Sequence, residues 1–130
     1  DFNGFELRTA IAKHDVEKVN LIVKHKLSDP NSKDMFPMLS LIFGYFQNLM
    51  IAFYAPAPRN ASAIMSYLGL SSEWATKDYV EGMRYYSPMK TLLIIDKIRE
   101  VEGKLKGLDA TANTPKSDLM KELFFFILHD

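Results

Sequence analysis

Apolar residues recur along most of this chain at spacings of three and four, which is the period of an amphipathic α-helix. Capping residues, prolines and glycines divide the pattern into seven segments. No stretch of the sequence alternates apolar and polar residues for long enough to predict a convincing strand. We therefore predict an all-α bundle of about seven helices, folded as a single domain over residues 1–130.

Polar residues at the segment starts predict where each helix begins. Ser, Thr, Asp and Asn side chains accept hydrogen bonds from the free N–H groups of a first helical turn, and proline is favoured at the first helical position. Starts are expected at Asn3, Asp15, Asp34, Asn60, Ser72, Ser87-Pro88 and Thr114-Pro115. Gly69 and Gly107 are expected to end the fourth and sixth helices. The first helix is expected to reach about Lys13 and the last about His129.

The third segment, predicted to be helical over residues 35–54, carries no charged residue. About 20 apolar residues are enough to span a bilayer, so a membrane helix is the alternative. The amides of Gln47 and Asn48 would be costly at mid-membrane, and they lie on the helix side opposite the large apolar residues. Those residues are Met35, Ile42, Phe46, Leu49 and Phe53. We interpret the segment as the central helix of a bundle, with no membrane partner.

Composition narrows the class of protein. Sixteen basic residues balance sixteen acidic ones, whereas nucleic-acid-binding modules usually carry a basic surplus. There is no cysteine, which excludes disulfides and thiolate metal sites and favours a cytoplasmic location. The sequence starts at Asp1 and not at a methionine, so we expect a piece of a longer protein.

The sequence offers few residues for catalysis. It has no glycine-rich phosphate loop, and His14, His25 and His129 have no partner at metal-ligand spacing. Asp78 and Glu81 share a helix face, as an acid and a base might, but a solvated face is the better interpretation. We predict no catalytic, cofactor-binding or metal-binding residue, and no enzyme activity.

Residues 64–80 have the outline of a helix-turn-helix, turning at Gly69. A recognition helix presents Arg, Lys, Asn or Gln to base edges, whereas the helix after Ser72 carries three acids, at 73, 78 and 81, and two bases, at 77 and 84. We expect this helix to pack against the bundle. A small DNA-binding regulator remains the alternative function.

The order of short motifs resembles the C-terminal region of the delta subunit of bacterial DNA polymerase III. That family shows a Leu-Gly-Leu turn, an aromatic-Ser step and a Lys-Gly helix end. Here they are matched by Leu68-Gly69-Leu70, Tyr86-Ser87 and Lys106-Gly107. Between the first two, the family has a basic residue and then an Ala-Arg pair, which Lys77 matches fully and Met83-Arg84 in part. Upstream, His14-Asp15 stands at the family's Gly-Asp turn. The uncharged third helix, and Glu102 where the family commonly has Asp, are departures from its pattern.

This resemblance implies a collar domain of the clamp loader, the pentamer that places the sliding clamp on primed DNA during replication. The expected partners are the neighbouring gamma/tau-type and delta-prime-type subunits. The family contacts the sliding clamp through an N-terminal region that this chain lacks, and reaches DNA only indirectly. It is a non-catalytic part of the DNA polymerase III holoenzyme, a DNA-directed DNA polymerase of the bacterial cytoplasm.

The last helix supplies a candidate for the subunit interface. Residues 123–128 are six apolar residues in succession, which one core-facing stripe cannot accommodate. With Leu123 at the origin, Phe125 falls at about 200°, among charged residues, and Leu128 at about 140°. The core side is expected to hold Leu119, Met120, Leu123, Phe126 and Ile127. A phenylalanine among charged residues is either covered by the loop from Leu108 to Pro115 or exposed for a neighbouring subunit. The resemblance favours the neighbour, because collar domains present apolar surface to adjacent subunits, so we predict that Phe125 and Leu128 help form the inter-subunit contact.

Overall fold

The computed structural model describes residues 4–29, 31–107 and 114–129, and these residues form seven α-helices and no strand. The all-α prediction is confirmed. In chain order, the helices are α1 (Gly4–Ala12), α2 (Val16–Leu27), α3 (Met35–Ala52), α4 (Ala61–Leu68), α5 (Glu73–Tyr85), α6 (Pro88–Leu105) and α7 (Lys116–Leu128).

Four of the predicted N-terminal caps are confirmed by side-chain hydrogen bonds. Asp15 accepts from the Lys18 N–H at 3.2 Å, and Asn60 accepts from the Ala63 N–H at 2.9 Å. Ser72 and Ser87 act in the same way on α5 and α6. Each cap satisfies a backbone donor that has no partner within its helix.

α3 begins after Asp34 as predicted but without the expected capping hydrogen bond, and the predicted start of α7 needs correction. Asp34 precedes α3 but makes no capping hydrogen bond, because its backbone is already helical and its carboxylate lies 3.4 Å from the Lys26 amine. The last helix begins one residue later than predicted, with Pro115 as its N-cap and Thr114 outside it. α3 ends at Ala52, two residues before the predicted end at residue 54. The predicted cap of the first helix, Asn3, lies outside the described residues.

Three residues in left-handed backbone conformations follow helices. Gly69 has φ +70° after α4 and Gly107 has φ +79° after α6, as expected for glycines that end helices. His14 has φ +54° after α1, which ends one residue before the predicted Lys13. A non-glycine residue rarely adopts this conformation.

α3 lies at the centre of the bundle, in contact with α1, α4, α5 and α6. Its buried residues are Met38, Leu39, Ile42, Tyr45, Phe46, Leu49 and Ala52. Met35 and Phe53, expected on this side, are partly buried at its two ends. By length and composition α3 is also apolar enough to cross a membrane, a test that the core helix of a bundle passes as well.

α6 and α7 close the bundle as an antiparallel pair. The apolar stripe of α6 is fully buried and consists of Ile94, Ile98, Val101 and Leu105. Two ion pairs join residues one helical turn apart: Lys104 lies 3.1 Å from Glu100, and Lys106 lies 3.7 Å from Glu102.

Candidate functional site

The structure separates the two residues predicted for the subunit interface. Phe125 is 65% exposed, whereas Leu128 is 3% exposed and belongs to the core of this chain. The expectation that Leu128 lies on the surface beside Phe125 is therefore wrong. Phe125 instead contacts the ring of His129, at 4.4 Å between ring centroids.

Leu128 is buried because α7 packs against two helices, α6 and α2, and not along one narrow stripe. The buried arc of α7 is consequently wider than predicted. It comprises Leu119, Met120, Leu123, Phe124, Ile127 and Leu128. Phe126, expected in the core, lies partly buried at the edge of this arc, with the Lys90 amine 4.1 Å from its ring centroid.

Four large apolar residues of the packed helices α6 and α7 are exposed, and Phe125 is the one on α7. Met89, Leu92 and Leu93 of α6 are exposed together, at the i, i+3 and i+4 spacing that makes helical neighbours. We call Met89, Leu92, Leu93 and Phe125 the α6–α7 face. The sequence carried a signal for it: the run from Leu92 to Ile95 is too long for one stripe, by the same reasoning that singled out Phe125.

Two contacts fix the register of α6 against α7. The Lys90 amine donates to the Phe126 carbonyl at 2.7 Å and to the His129 carbonyl at 2.9 Å, which caps the C-terminal end of α7. Seven residues further along α6, the Lys97 amine donates to the Glu122 carboxylate at 3.1 Å. Leu93 lies between these contacts and about 60° from Lys90, on the side away from the core stripe. It is therefore level with the C-terminal half of α7, where Phe125 lies.

Apart from the α6–α7 face, a cluster of polar groups lies where α1, α3 and α5 meet. The Asp78 carboxylate accepts from Arg8 Nε at 2.7 Å and from Thr9 Oγ1 at 3.1 Å, and Asp78 is buried. The interpretation of Asp78 as part of a solvated face is wrong, because its partner lies on another helix. Glu81 stays nearer the surface, 3.5 Å from Arg84.

Tyr45 of α3 anchors the other side of this cluster. Its hydroxyl donates to the Asp78 carbonyl at 2.6 Å, and its ring stacks on Tyr79 at 5.2 Å between centroids. Burial, aided by the nearby Tyr86, Asp78 and Tyr79, raises the pKa of Tyr45 well above its usual value. The close approach requires Gly82, because a Cβ there would clash with the Tyr45 hydroxyl.

Beside the buried Asp78, a groove of about 490 Å³ opens between α1 and α5, and we call it the α1–α5 groove. Its lining includes Thr9, Lys13, Trp74, Lys77, Asp78 and Glu81. Trp74 at its edge is 65% exposed, with Phe5 in edge-to-face contact at 6.1 Å between ring centroids. No periodic pattern predicted this groove, because α1 and α5 are far apart in sequence.

The described residues contain no group of three or more His, Cys, Asp or Glu side chains placed to hold a metal ion. Two of the histidines do approach each other in space: His14 and His129 line one crevice, together with Tyr85 and Leu128. His14 stacks on Tyr85 at 5.9 Å between ring centroids, so it is held by aromatic contacts.

The helix-turn-helix outline at residues 64–80 corresponds to α4, the Gly69 turn and α5. α5 packs against α1, α3 and α4, and Thr76, Asp78, Tyr79 and Gly82 are buried there. Its exposed residues include both acidic and basic side chains, among them Glu73, Lys77 and Arg84. α5 is therefore a packed helix of the bundle, as predicted.

Comparison with known proteins identifies no relative. No family model matches the chain, and no curated protein or solved structure matches it significantly.

Proposed function

We propose that this chain is a non-catalytic helical domain that holds a neighbouring subunit through the α6–α7 face. The observation that carries the proposal is the exposure of Met89, Leu92 and Leu93 on α6 and of Phe125 on α7, the helix packed against it. Contiguous exposed apolar residues mark interaction surfaces, and aromatic residues and Met are enriched at the cores of protein interfaces.

The sequence resemblance suggests which subunit is the neighbour. On this proposal the chain is the collar domain of a clamp-loader delta subunit, and it binds gamma/tau-type and delta-prime-type subunits in the bacterial cytoplasm. On this proposal the domain needs no cofactor, reaches DNA only through its partners, and leaves contact with the sliding clamp to an N-terminal region. The clamp-loader assignment rests on the sequence motifs alone, whereas the interaction surface rests on the structure.

A small DNA-binding regulator is the competing proposal, favoured by the turn between α4 and α5. Gly69 ends α4 in a left-handed conformation, and Ser72 caps α5 three residues later, which is the connection that a helix-turn-helix uses. The mixed charge of α5 and the zero net charge of the chain oppose it, because phosphate neutralisation supplies most of the affinity for DNA.

One pair of experiments separates the two proposals. The chain is mixed with purified gamma/tau-type and delta-prime-type subunits of its own organism, and separately with duplex DNA over a range of salt concentrations. The collar proposal predicts a complex with the subunits and no salt-dependent DNA binding. DNA binding that weakens steeply with salt, without a protein complex, would support the regulator instead.

A further inference from the structure

The acidic side chains that line the α1–α5 groove have ion-pair partners, whereas its lysines have none within the described part of the chain. Its two carboxylates each face an arginine: Asp78 is bound by Arg8, and Glu81 lies near Arg84. Its two lysines, Lys13 and Lys77, have no carboxylate within ion-pair distance among the described residues. Glu73 lies one helical turn before Lys77, but it is not among the residues that line the groove. The groove thus has two cations free to meet an anionic partner.

The same groove has an apolar edge. Trp74 and Phe5 present two aromatic rings to solvent, and Ala61 and Val80 add apolar surface within the groove. Exposed tryptophan is costly to leave in water and is enriched among the residues that dominate protein interfaces. A volume of about 490 Å³ falls within the range of sites that accept a ligand or a few side chains.

We propose that the α1–α5 groove binds an acidic peptide segment of a partner protein. An apolar side chain of that segment packs against Trp74, and carboxylates on either side of it pair with Lys13 and Lys77. The charge of the groove selects an acidic segment because only its cations are uncompensated. A nucleic acid fits less well, because two free lysines neutralise few phosphates.

Trp74 makes the proposal directly measurable, because it is the only tryptophan of the chain. The full chain is titrated with a synthetic peptide of alternating Glu and Leu while the tryptophan emission is recorded. We expect a saturable shift of the emission to shorter wavelength as Trp74 leaves water. The same peptide with Gln in place of Glu should bind at least about tenfold more weakly, and one with Lys should not bind.

Charge reversal locates the binding site. The double variant Lys13→Glu and Lys77→Glu should weaken binding of the Glu peptide at least about tenfold. Lys24→Glu with Lys121→Glu is the matched control: it makes the same change of charge at two exposed lysines on α2 and α7. It should leave the affinity nearly unchanged. Circular dichroism melting of both variants shows whether each remains folded.

Several results would overturn the proposal. These are no shift of the emission at millimolar peptide, equal binding of the Glu and Gln peptides, or equal weakening by the two double variants. Tighter binding of a single-stranded oligonucleotide than of the Glu peptide would assign the groove to nucleic acid. The outcome is independent of the proposed function, because the α6–α7 face shares no residue with this groove.

Discussion

Arg8 Nε donates a hydrogen bond of 2.7 Å to the Asp78 carboxylate, which lies 70 residues further along the chain. Both side chains are largely removed from water, at 15% and 10% exposure. The same carboxylate oxygen accepts from Thr9 Oγ1, so two neighbouring residues of α1 hold α5 in place. This contact fixes the two helices that form the α1–α5 groove.

Removing the Asp78 carboxylate should destabilise the fold. Asp78→Ala leaves the Arg8 charge largely buried without a partner, and we expect a loss of about 3–5 kcal/mol in the free energy of unfolding. Urea denaturation measures it. Glu81→Ala is the control, because its pair with the exposed Arg84 should contribute less than about 1 kcal/mol. Equal losses for the two variants would show that Asp78 is not held as described.

Gly82 should not tolerate a side chain. A Cβ at this position meets the Tyr45 hydroxyl, and Gly82→Ala should cost about 1–3 kcal/mol through overpacking. The cost should be smaller in a Tyr45→Phe background, which removes the clashing oxygen. A double-mutant cycle in urea measures this coupling.

Gly44 provides the matched control for Gly82. It lies within α3, and a Cβ there would have no atom within 4 Å. Gly44→Ala should therefore stabilise the protein by about 0.5–1 kcal/mol, because alanine loses less backbone freedom than glycine when a helix forms. Stabilisation by Gly82→Ala, or additive effects of Gly82→Ala and Tyr45→Phe, would contradict the close approach.

The centre of the core lies at Phe46, which is fully buried in α3. Phe46→Ala should cost about 3–5 kcal/mol, the loss expected when a buried aromatic side chain leaves a cavity. Phe36→Ala, on the same helix but exposed, should cost less than about 1 kcal/mol. Chemical denaturation compares them. Similar losses would mean that α3 does not face the core as described.

Alkaline pH should weaken the fold through Tyr45 and Tyr86. Each hydroxyl donates to a backbone carbonyl, and burial raises the pKa of both phenols above their ordinary value of 10.0. The stabilisation is complete below that value, and is lost as the pH rises above it, because the unfolded chain releases these protons first. Unfolding free energies should therefore fall as the pH rises from about 10 upward.

The double variant Tyr45→Phe and Tyr86→Phe identifies the source of this dependence. It should be less stable at neutral pH, since it lacks two hydrogen bonds, and its stability should fall less steeply in alkali. Urea denaturation at a series of pH values gives both quantities. The same slope in the variant and the wild type would assign the alkaline loss to other groups.

The features that the sequence predicts well are local ones. Caps such as Asp15 and Ser87 depend on a hydrogen bond within one helical turn, so a short stretch of sequence contains the whole interaction. The stripe from Ile94 to Leu105 depends only on helical periodicity. Asp34 failed as a cap because Lys26, on the preceding helix, offers its carboxylate another partner.

The candidate surfaces depended on contacts between distant segments, which periodicity does not reveal. Asp78 is paired with Arg8 across 70 positions, and α7, which carries the buried Leu128, packs against both α6 and α2. Phe125 was identified correctly as exposed, since a run of apolar residues must turn one of them outward. The run from Leu92 to Ile95 carried the same signal on α6, but the register of α6 against α7 depends on long-range contacts such as that of Lys90 with the Phe126 carbonyl.

The most direct test of the α6–α7 face is the mass of the complex that the chain forms with clamp-loader subunits. Light scattering after size-exclusion chromatography compares the wild type with the double variant Leu93→Asp and Phe125→Asp. Leu21→Asp with Tyr54→Asp is the matched control, since it places the same charges on exposed apolar residues elsewhere. We expect the wild type and the control to enter the complex, and the Leu93 and Phe125 variant to stay outside it with its melting temperature nearly unchanged. Normal assembly of that variant, or no complex with the wild-type chain, would contradict the account.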